Sequence, residues 1–324
     1  MLRRRQFLQL AAGAAALPAL SGIAMAQTYP TRPVRLIVTF PPGGALDVVS
    51  RLIGQVLSKQ IGQQFIIENR PGAGGIVGVE AVANAVADGY TLLMVSSANT
   101  TSTALYGKAS VDIVRDIIPI GGIVRVPNVM EVNPLLPVKT VPEFIDYAKA
   151  IPVKVNMASG GIGTTGHMNG ELFKMMTGVN MLHVPYRGGG PALTDLIGGQ
   201  VQLLFDPLPS SIEYIKTGKL RALAVTSIMR AESLPGIPTL NKFVPGYEAS
   251  FWVGVGAPKG VPAEIIGKLN KEINAALADP KFKARLADMG GTVLAGSPDD
   301  FGKLIAEETE KWAKVAKFSV AKAE

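Results

Sequence analysis

The stretch from residue 34 to residue 57 leaves the chain few choices of fold. Residues 34–40 carry one charge, Arg35, among β-branched and aromatic side chains, the composition of a strand covered on both faces. Pro41-Pro42-Gly43-Gly44 cannot extend it, because proline lacks the N–H and glycine accepts a positive φ. From Asp47 the apolar period changes: Val48, Leu52 and Val56 recur every fourth residue beside Val49, Ile53 and Leu57, with Ser50, Arg51 and Gln55 expected outside. A buried strand passing through a glycine turn into a helix start leaves unpaired amides converging on one spot. With the helix dipole behind them, those amides form an anion site.

A second copy lies about 120 residues further on. Residues 153–158 predict a strand, Ser159-Gly160-Gly161-Ile162-Gly163-Thr164-Thr165 the turn, and Met168, Leu172, Phe173 and Met176 the helix behind it. One such turn is ordinarily only a tight connection. Two in equivalent positions of two α/β halves point to a shared cleft that grips one anionic ligand.

The N-terminal 26 residues read as an export signal: Arg3-Arg4-Arg5, an apolar Ala-rich run, then Ala24-Met25-Ala26 before Gln27. Arg4-Arg5-Gln6-Phe7-Leu8 also fits a twin-arginine signal, so twin-arginine and general secretion both stay open. No later run is long enough to span a bilayer, and the expected location is the periplasm. Removal of the three signal arginines lowers the net charge from +7 to +4, and the remaining Lys and Arg are scattered. There is no basic stripe with interleaved aromatics, which argues against nucleic acid. The absence of cysteine excludes disulfides and thiolate metal sites, and two histidines exclude a histidine-rich one, so neither metal nor cofactor is expected.

Further along, residues 64–68 predict a strand before Gly72-Ala73-Gly74-Gly75, whose glycines fit a dinucleotide fingerprint only loosely; a phosphate-cradling Walker motif is absent. Residues 91–95 predict a third strand that ends in Ser96-Ser97-Ala98-Asn99-Thr100, hydroxyl and amide groups at a strand's carboxyl end. Residues 117–126 and 129–133 look like a crossing between lobes, and Thr140 caps a helix to residue 148. Strands at 181–184, 201–205 and 220–226 and a helix at 191–197 complete the second lobe, with Asp206-Pro207-Leu208-Pro209 ending one strand. Residues 251–257 return the chain, and helices at 264–277, 280–289 and 299–317, the last two capped by Asp279 and Ser297, are expected to pack on the first lobe. The expected division is 1–26 signal, 27–126 with 250–324 lobe 1, and 127–249 lobe 2.

Several of these motifs resemble one known family. Phe40-Pro41-Pro42-Gly43-Gly44-x-x-Asp47, Glu68-Asn69-Arg70-Pro71-Gly72-Ala73-Gly74-Gly75, Asp88-Gly89-Tyr90-Thr91-Leu92-Leu93, His183-Val184-Pro185-Tyr186 and Gly198-Gly199-Gln200-Val201 are similar to the Bug family, the solute-binding proteins of tripartite tricarboxylate transporters. Leu220-Arg221-Ala222-Leu223-Ala224-Val225-Thr226 and Gly246-Tyr247-Glu248 fit as well, so the resemblance runs from about Tyr29 to the C-terminus. It implies an α/β chain with the type II periplasmic-binding-protein fold, two α/β lobes around a hinged ligand cleft. It also implies a small carboxylate ligand held by backbone amides and waters, membrane permease subunits as partners, and a monomer. The candidate ligand-binding residues are Pro42, Gly43, Gly44, Ala45, Leu46 and Asp47 in the first loop and Ser96, Ser97 and Asn99 after the third strand. Ser159, Gly161, Gly163, Thr164, Thr165 and His167 follow in the second loop, then Tyr186 and Asp206.

Three positions depart from the family pattern: Thr39 and Pro207 replace a common proline and asparagine, and Leu46 puts an apolar side chain in the loop. Fewer polar contacts imply a ligand with one gripped carboxylate and an apolar remainder, such as an aromatic acid. Asp47 would repel an anion and reads as mainly structural, Arg187 is the best-placed cation, and Trp252 reads as core. An enzyme is not expected: there is no Gly-x-Ser-x-Gly elbow, and a hydrolase would have to pair Ser159 or Ser96 with His167. A sensor docking on a signalling partner would use the same closed surface as a transporter subunit.

Overall fold

Strand β1 (Val34–Val38) runs through the first loop into helix α1 (Ala45–Ile61), as the sequence predicts, in a computed structural model that describes residues 29–105, 111–151 and 155–321. The expected signal segment, and residues 153 and 154 of the expected strand, lie outside the described residues. After α1 come β2 (Phe65–Asn69), α2 (Ile76–Ala83), β3 (Thr91–Ser96), α3 (Asn99–Leu105), the short α4 (Ile113–Asp116) and β4 (Ile117–Val132). The middle of the chain forms α5 (Val141–Ala150), β5 (Asn156–Ser159), α6 (Thr165–Thr177), β6 (Leu182–Pro185), α7 (Gly189–Ile197), β7 (Leu203–Pro207), α8 (Leu208–Lys216) and β8 (Arg221–Val225). Then β9 (Ser250–Pro258), α9 (Ala263–Ala278), α10 (Pro280–Asp288), β10 (Thr292–Val293) and α11 (Pro298–Ala321) end the described chain.

The strands form one continuous sheet in the order β2-β1-β3-β9-β4-β7-β5-β6, with β8 and β10 also pairing β4. Strand β4 is the pivot. Residues Ile117 to Pro127 pair antiparallel with β9, and Asn128 to Val132 pair with β7, so one strand serves both lobes where the sequence suggests two pieces. On either side the βα units are parallel: β1 with β2 and β3 in one lobe, β5 with β6 and β7 in the other. All nine residues of β9 are buried, and a Cβ on Gly254 would meet the Phe301 ring at 2.2 Å, so only glycine lets α11 lie this close.

Helix α1 is rotated from its expected face. Val49, Ile53 and Leu57 are buried as predicted, but Ser50 is fully buried and Val48 is 37% exposed. The reason is Gly54: a Cβ there would lie 3.0 Å from Ile67 Cδ1, so the helix is seated on β2 by its small-residue side. Ser50 tolerates that burial because its hydroxyl donates back to the Leu46 carbonyl at 2.6 Å.

Each lobe has its own core. Ile37, Leu93, Val95, Ile117 and Trp252 pack in the first, and Phe173 stacks obliquely against Phe144 and Phe205 in the second. Helix α11 belongs to both. Its Phe301 and Ile305 enter the first core as the sequence suggests, whereas Trp312, Val315 and Ala316 enter the second. The tail thus packs on the first lobe as expected and also reaches the second, because the helix is long enough to continue past the crossing strands.

Candidate ligand-binding cleft

The two glycine loops border one cavity of about 340 Å³. Residues Pro41 to Leu46 form one wall, and Thr164 to Gly166, at the start of α6, form another. The walls also include Gly188 to Pro191 at the start of α7, and Pro207 and Ser210 at the start of α8. Four helix starts therefore meet at one cleft, and none of them has a side-chain cap. Away from the cleft, α4, α5 and α10 are capped by Asp112, Thr140 and Asp279, whereas α2 and α9 start without a side-chain cap. What sets the cleft apart is that four uncapped starts converge on it. First-turn amides without a side-chain acceptor, with helix dipoles behind them, make the cleft electropositive without a charged side chain.

Side chains beneath the loops hold this geometry. Asp47 accepts from the Gly43 N–H at 3.0 Å, from Arg51 at 2.9 Å and from Asn69 at 2.9 Å. Burial alone would raise its pKa; the Arg51, Gly43 and Asn69 bonds outweigh it and hold the carboxyl below its ordinary range. Gly43 sits at φ +85°, which only glycine adopts without strain. In the second loop the Thr164 hydroxyl donates to the Gly161 carbonyl at 2.7 Å, and the Gly163 N–H donates to His167 Nδ1 at 3.2 Å. Across the lobes Thr101 donates to the Gly163 carbonyl at 2.6 Å, and the Ser97 and Thr165 hydroxyls lie 3.3 Å apart.

Of the predicted site residues, Pro42, Gly43, Gly44, Ala45, Leu46, Thr164, Thr165 and Asp206 line the cavity. The others do not border it. Asp47 clamps its own loop, and Asn99 accepts from the Ser96 N–H at 2.8 Å while Ser97 meets Thr165. Ser159 and Gly161 bond each other, Gly163 is bonded to His167, and Tyr186 donates to Asp195 at 2.5 Å. Ser159 does meet a histidine, but it is His183, at 2.6 Å, rather than His167, which stacks on His183 with centroids 4.0 Å apart. Burial, with the neighbouring charge of Lys174, pulls His167 down to about 4, so the ring is neutral. Neither Ser159, which is fully buried, nor the half-buried His183 borders the cavity.

The sequence reading missed the α7 and α8 starts as ligand walls. Their signal was present: Gly188-Gly189-Gly190-Pro191 and Pro207-Leu208-Pro209 put proline in the first turn with no Ser, Thr, Asp or Asn cap. Apolar walls come from Phe40, Phe205, Phe251 and Ala98. Arg187 borders the cavity, is exposed, and forms no ion pair among the described residues, and Asp206 is the one acid in the lining. Among the described residues no cluster of three or more His, Cys, Asp or Glu is placed to hold a metal, and no helix is long and apolar enough to cross a membrane.

The chain is 38% identical over 300 residues to protein BugT of Bordetella pertussis, covering 92% of each. Rpa4515 of R. palustris, solved with adipate, superimposes with a TM-score of 0.86 at 40% identity, covering 90% of this chain and 98% of that one. MatC of Rhodopseudomonas palustris, solved with bound malate, gives a TM-score of 0.83 at 31% identity, covering 89% and 100%. The family described as tripartite tricarboxylate transporter family receptor matches residues 49–319. With four-fifths of its length matched and its fold shared, this chain belongs to that receptor family, the Bug-type solute-binding proteins.

Proposed function

We propose that the protein captures a small carboxylate with an apolar body in the periplasm and delivers it, as a monomer, to the membrane permease subunits of a tripartite tricarboxylate-type transporter. The observation that carries the reading is the meeting of four uncapped helix starts at a cleft whose remaining walls are largely aromatic and proline side chains. A carboxylate accepting several amide bonds at about 1.5–3 kcal/mol each reaches the roughly 8 kcal/mol of micromolar binding, from which the cost of lobe closure is subtracted. A cavity of about 340 Å³ suits a small acid. The acids bound by the two solved relatives, adipate and malate, are both small carboxylates, and adipate also has the apolar body.

The first-loop residues 42–46, with Thr164, Thr165 and Asp206, are the proposed ligand contacts; Asp47, Ser96, Ser97, Asn99, Ser159, Gly161, Gly163, His167 and Tyr186 support them from behind. Backbone crossings near Pro127 in β4 and Ser250 in β9 support dividing the chain into 27–126 with 250–324 and 127–249, with α11 bridging the two. The Ser159–His183 hydroxyl–imidazole pair does not border the cleft, which supports binding over hydrolysis. Thermal-shift screening tests the reading. Adipate, benzoate and phthalate are expected to stabilise the protein. Stabilisation by citrate or malate with none by benzoate or phthalate overturns the apolar body, and no response to any acid overturns carboxylate capture.

A further inference from the structure

Asp206 is an unusual neighbour for an anion. It lines the cleft, is 6% exposed, and no cation pairs with it among the described residues. A Cβ on Gly189, itself part of the lining, would lie 3.3 Å from Asp206 Oδ1, so that oxygen faces the α7 start. The other oxygen, Oδ2, is 3.3 Å from the Ser211 hydroxyl. The same hydroxyl is 2.7 Å from Glu131 Oε1 on β4, and Glu131 is fully buried with Oε2 unpartnered among the described residues. One hydroxyl has one hydrogen and can donate to only one of two carboxylates. Two buried acids joined through it, with no cation, cannot both be ionised.

We propose that Asp206 is the proton-carrying donor of the cleft: when an anionic ligand enters, Asp206 Oδ1 takes a proton from solvent and hydrogen-bonds a ligand oxygen, while neutral Glu131 donates to Ser211 and Ser211 donates to Asp206 Oδ2. The chain Glu131–Ser211–Asp206–ligand then has one donor and one acceptor at each link. This deepens the reading of the site as a carboxylate cleft and rests on it. Burial pushes the Asp206 carboxyl up to about 7 against the bonds from Ser210 and Ser211, and burial with the Asp206 charge pushes Glu131 well above its ordinary value. The other charged group of the lining is Arg187, which attracts the ligand but, lacking a contact to Asp206, does not neutralise it.

Because the ligand-bound form holds the extra proton, affinity falls as pH rises above the free Asp206 value. Calorimetric titration of the full mature protein with adipate or phthalate, whichever binds, is run in buffers of different ionisation enthalpy. Uptake of about one proton per ligand is expected at about pH 8.5, shrinking towards pH 6, with affinity falling about tenfold per pH unit above about 7.5. Asp206→Asn, which keeps a donor but cannot titrate, flattens that slope. Binding without proton uptake, or an unchanged slope in Asp206→Asn, overturns the proposal. If neither acid binds at any pH, the functional reading fails and the donor role with it. The proton itself is read separately by infrared difference spectra of the free protein near pH 6, where loss of one protonated-carboxyl band in Asp206→Asn supports it and an unchanged spectrum overturns it.

Discussion

Asp47 acts on the first loop from outside the cavity lining. Its two oxygens hold the Gly43 amide, Arg51 and Asn69 together, and Asn69 reaches on to the Phe40 carbonyl at 3.0 Å. Asp47→Ala leaves those donors without their acceptor and is expected to destabilise the protein by about 1–3 kcal/mol and to weaken binding, as chemical denaturation and calorimetry would measure. The stacked histidines set the acid limit. His167 is held down to about 4 by burial and Lys174, and His183 to about 3 by burial, then by His167 and Lys174 against the pull of Glu171. An unfolded histidine titrates near its ordinary 6.5, so below that pH the unfolded chain binds more protons than the folded one and stability falls. Each buried ring then removes on the order of 3 kcal/mol by about pH 4. Urea midpoints measured from about pH 7 downward should fall less steeply in His183→Gln than in the wild type. Asp206 acts in the opposite sense: its raised value means stability from this group is lost as pH rises from 3.8 towards 7.

At the scale of the element, the helix starts at the cleft leave their first-turn amides without a side-chain acceptor. A helix with no N-cap forgoes about 0.5–2 kcal/mol; α2 and α9 forgo it away from the cleft, and the four starts that border the cleft forgo it together at one place. Gly44 has the extended backbone of a normal N-cap, φ −79° and ψ 169°, and a Cβ there would have only the Pro41 carbonyl nearby, at 3.9 Å. Gly44→Asp therefore supplies α1 with its own carboxylate. The melting temperature is expected to hold or rise, while affinity for the stabilising acid falls at least about tenfold, since the introduced charge occupies the same amides. A variant that melts higher and still binds as before would show that α1 does not face the ligand.

For the whole molecule, α11 is the part that makes two lobes into one folding unit. Residues 32–324 cluster as a single body, with β4 and β9 continuous through it. Trp312 is 1% exposed in the second core and donates to Glu308 at 2.8 Å, eleven residues after Phe301 has entered the first. Trp312→Ala should cost about 3–5 kcal/mol and, because the helix spans both cores, should lower one shared unfolding transition rather than split it in two. Separate transitions by calorimetry and by near-UV circular dichroism would refute that coupling.

The sequence by itself determined the local grammar: strand, glycine turn and helix twice over, the Thr140 and Asp279 caps, and a cavity bordered by those two turns. These follow from residues close in the chain, where proline, glycine and apolar period restrict the backbone directly. What only the tertiary structure decided was which residues reach the cavity. Ser96 and Asn99 bond each other and do not border the cavity, Gly54 rotates α1 onto β2, and two further helix starts complete the cleft. Partner choice among buried polar groups depends on what packing brings within 3 Å, and that is a property of elements far apart in sequence.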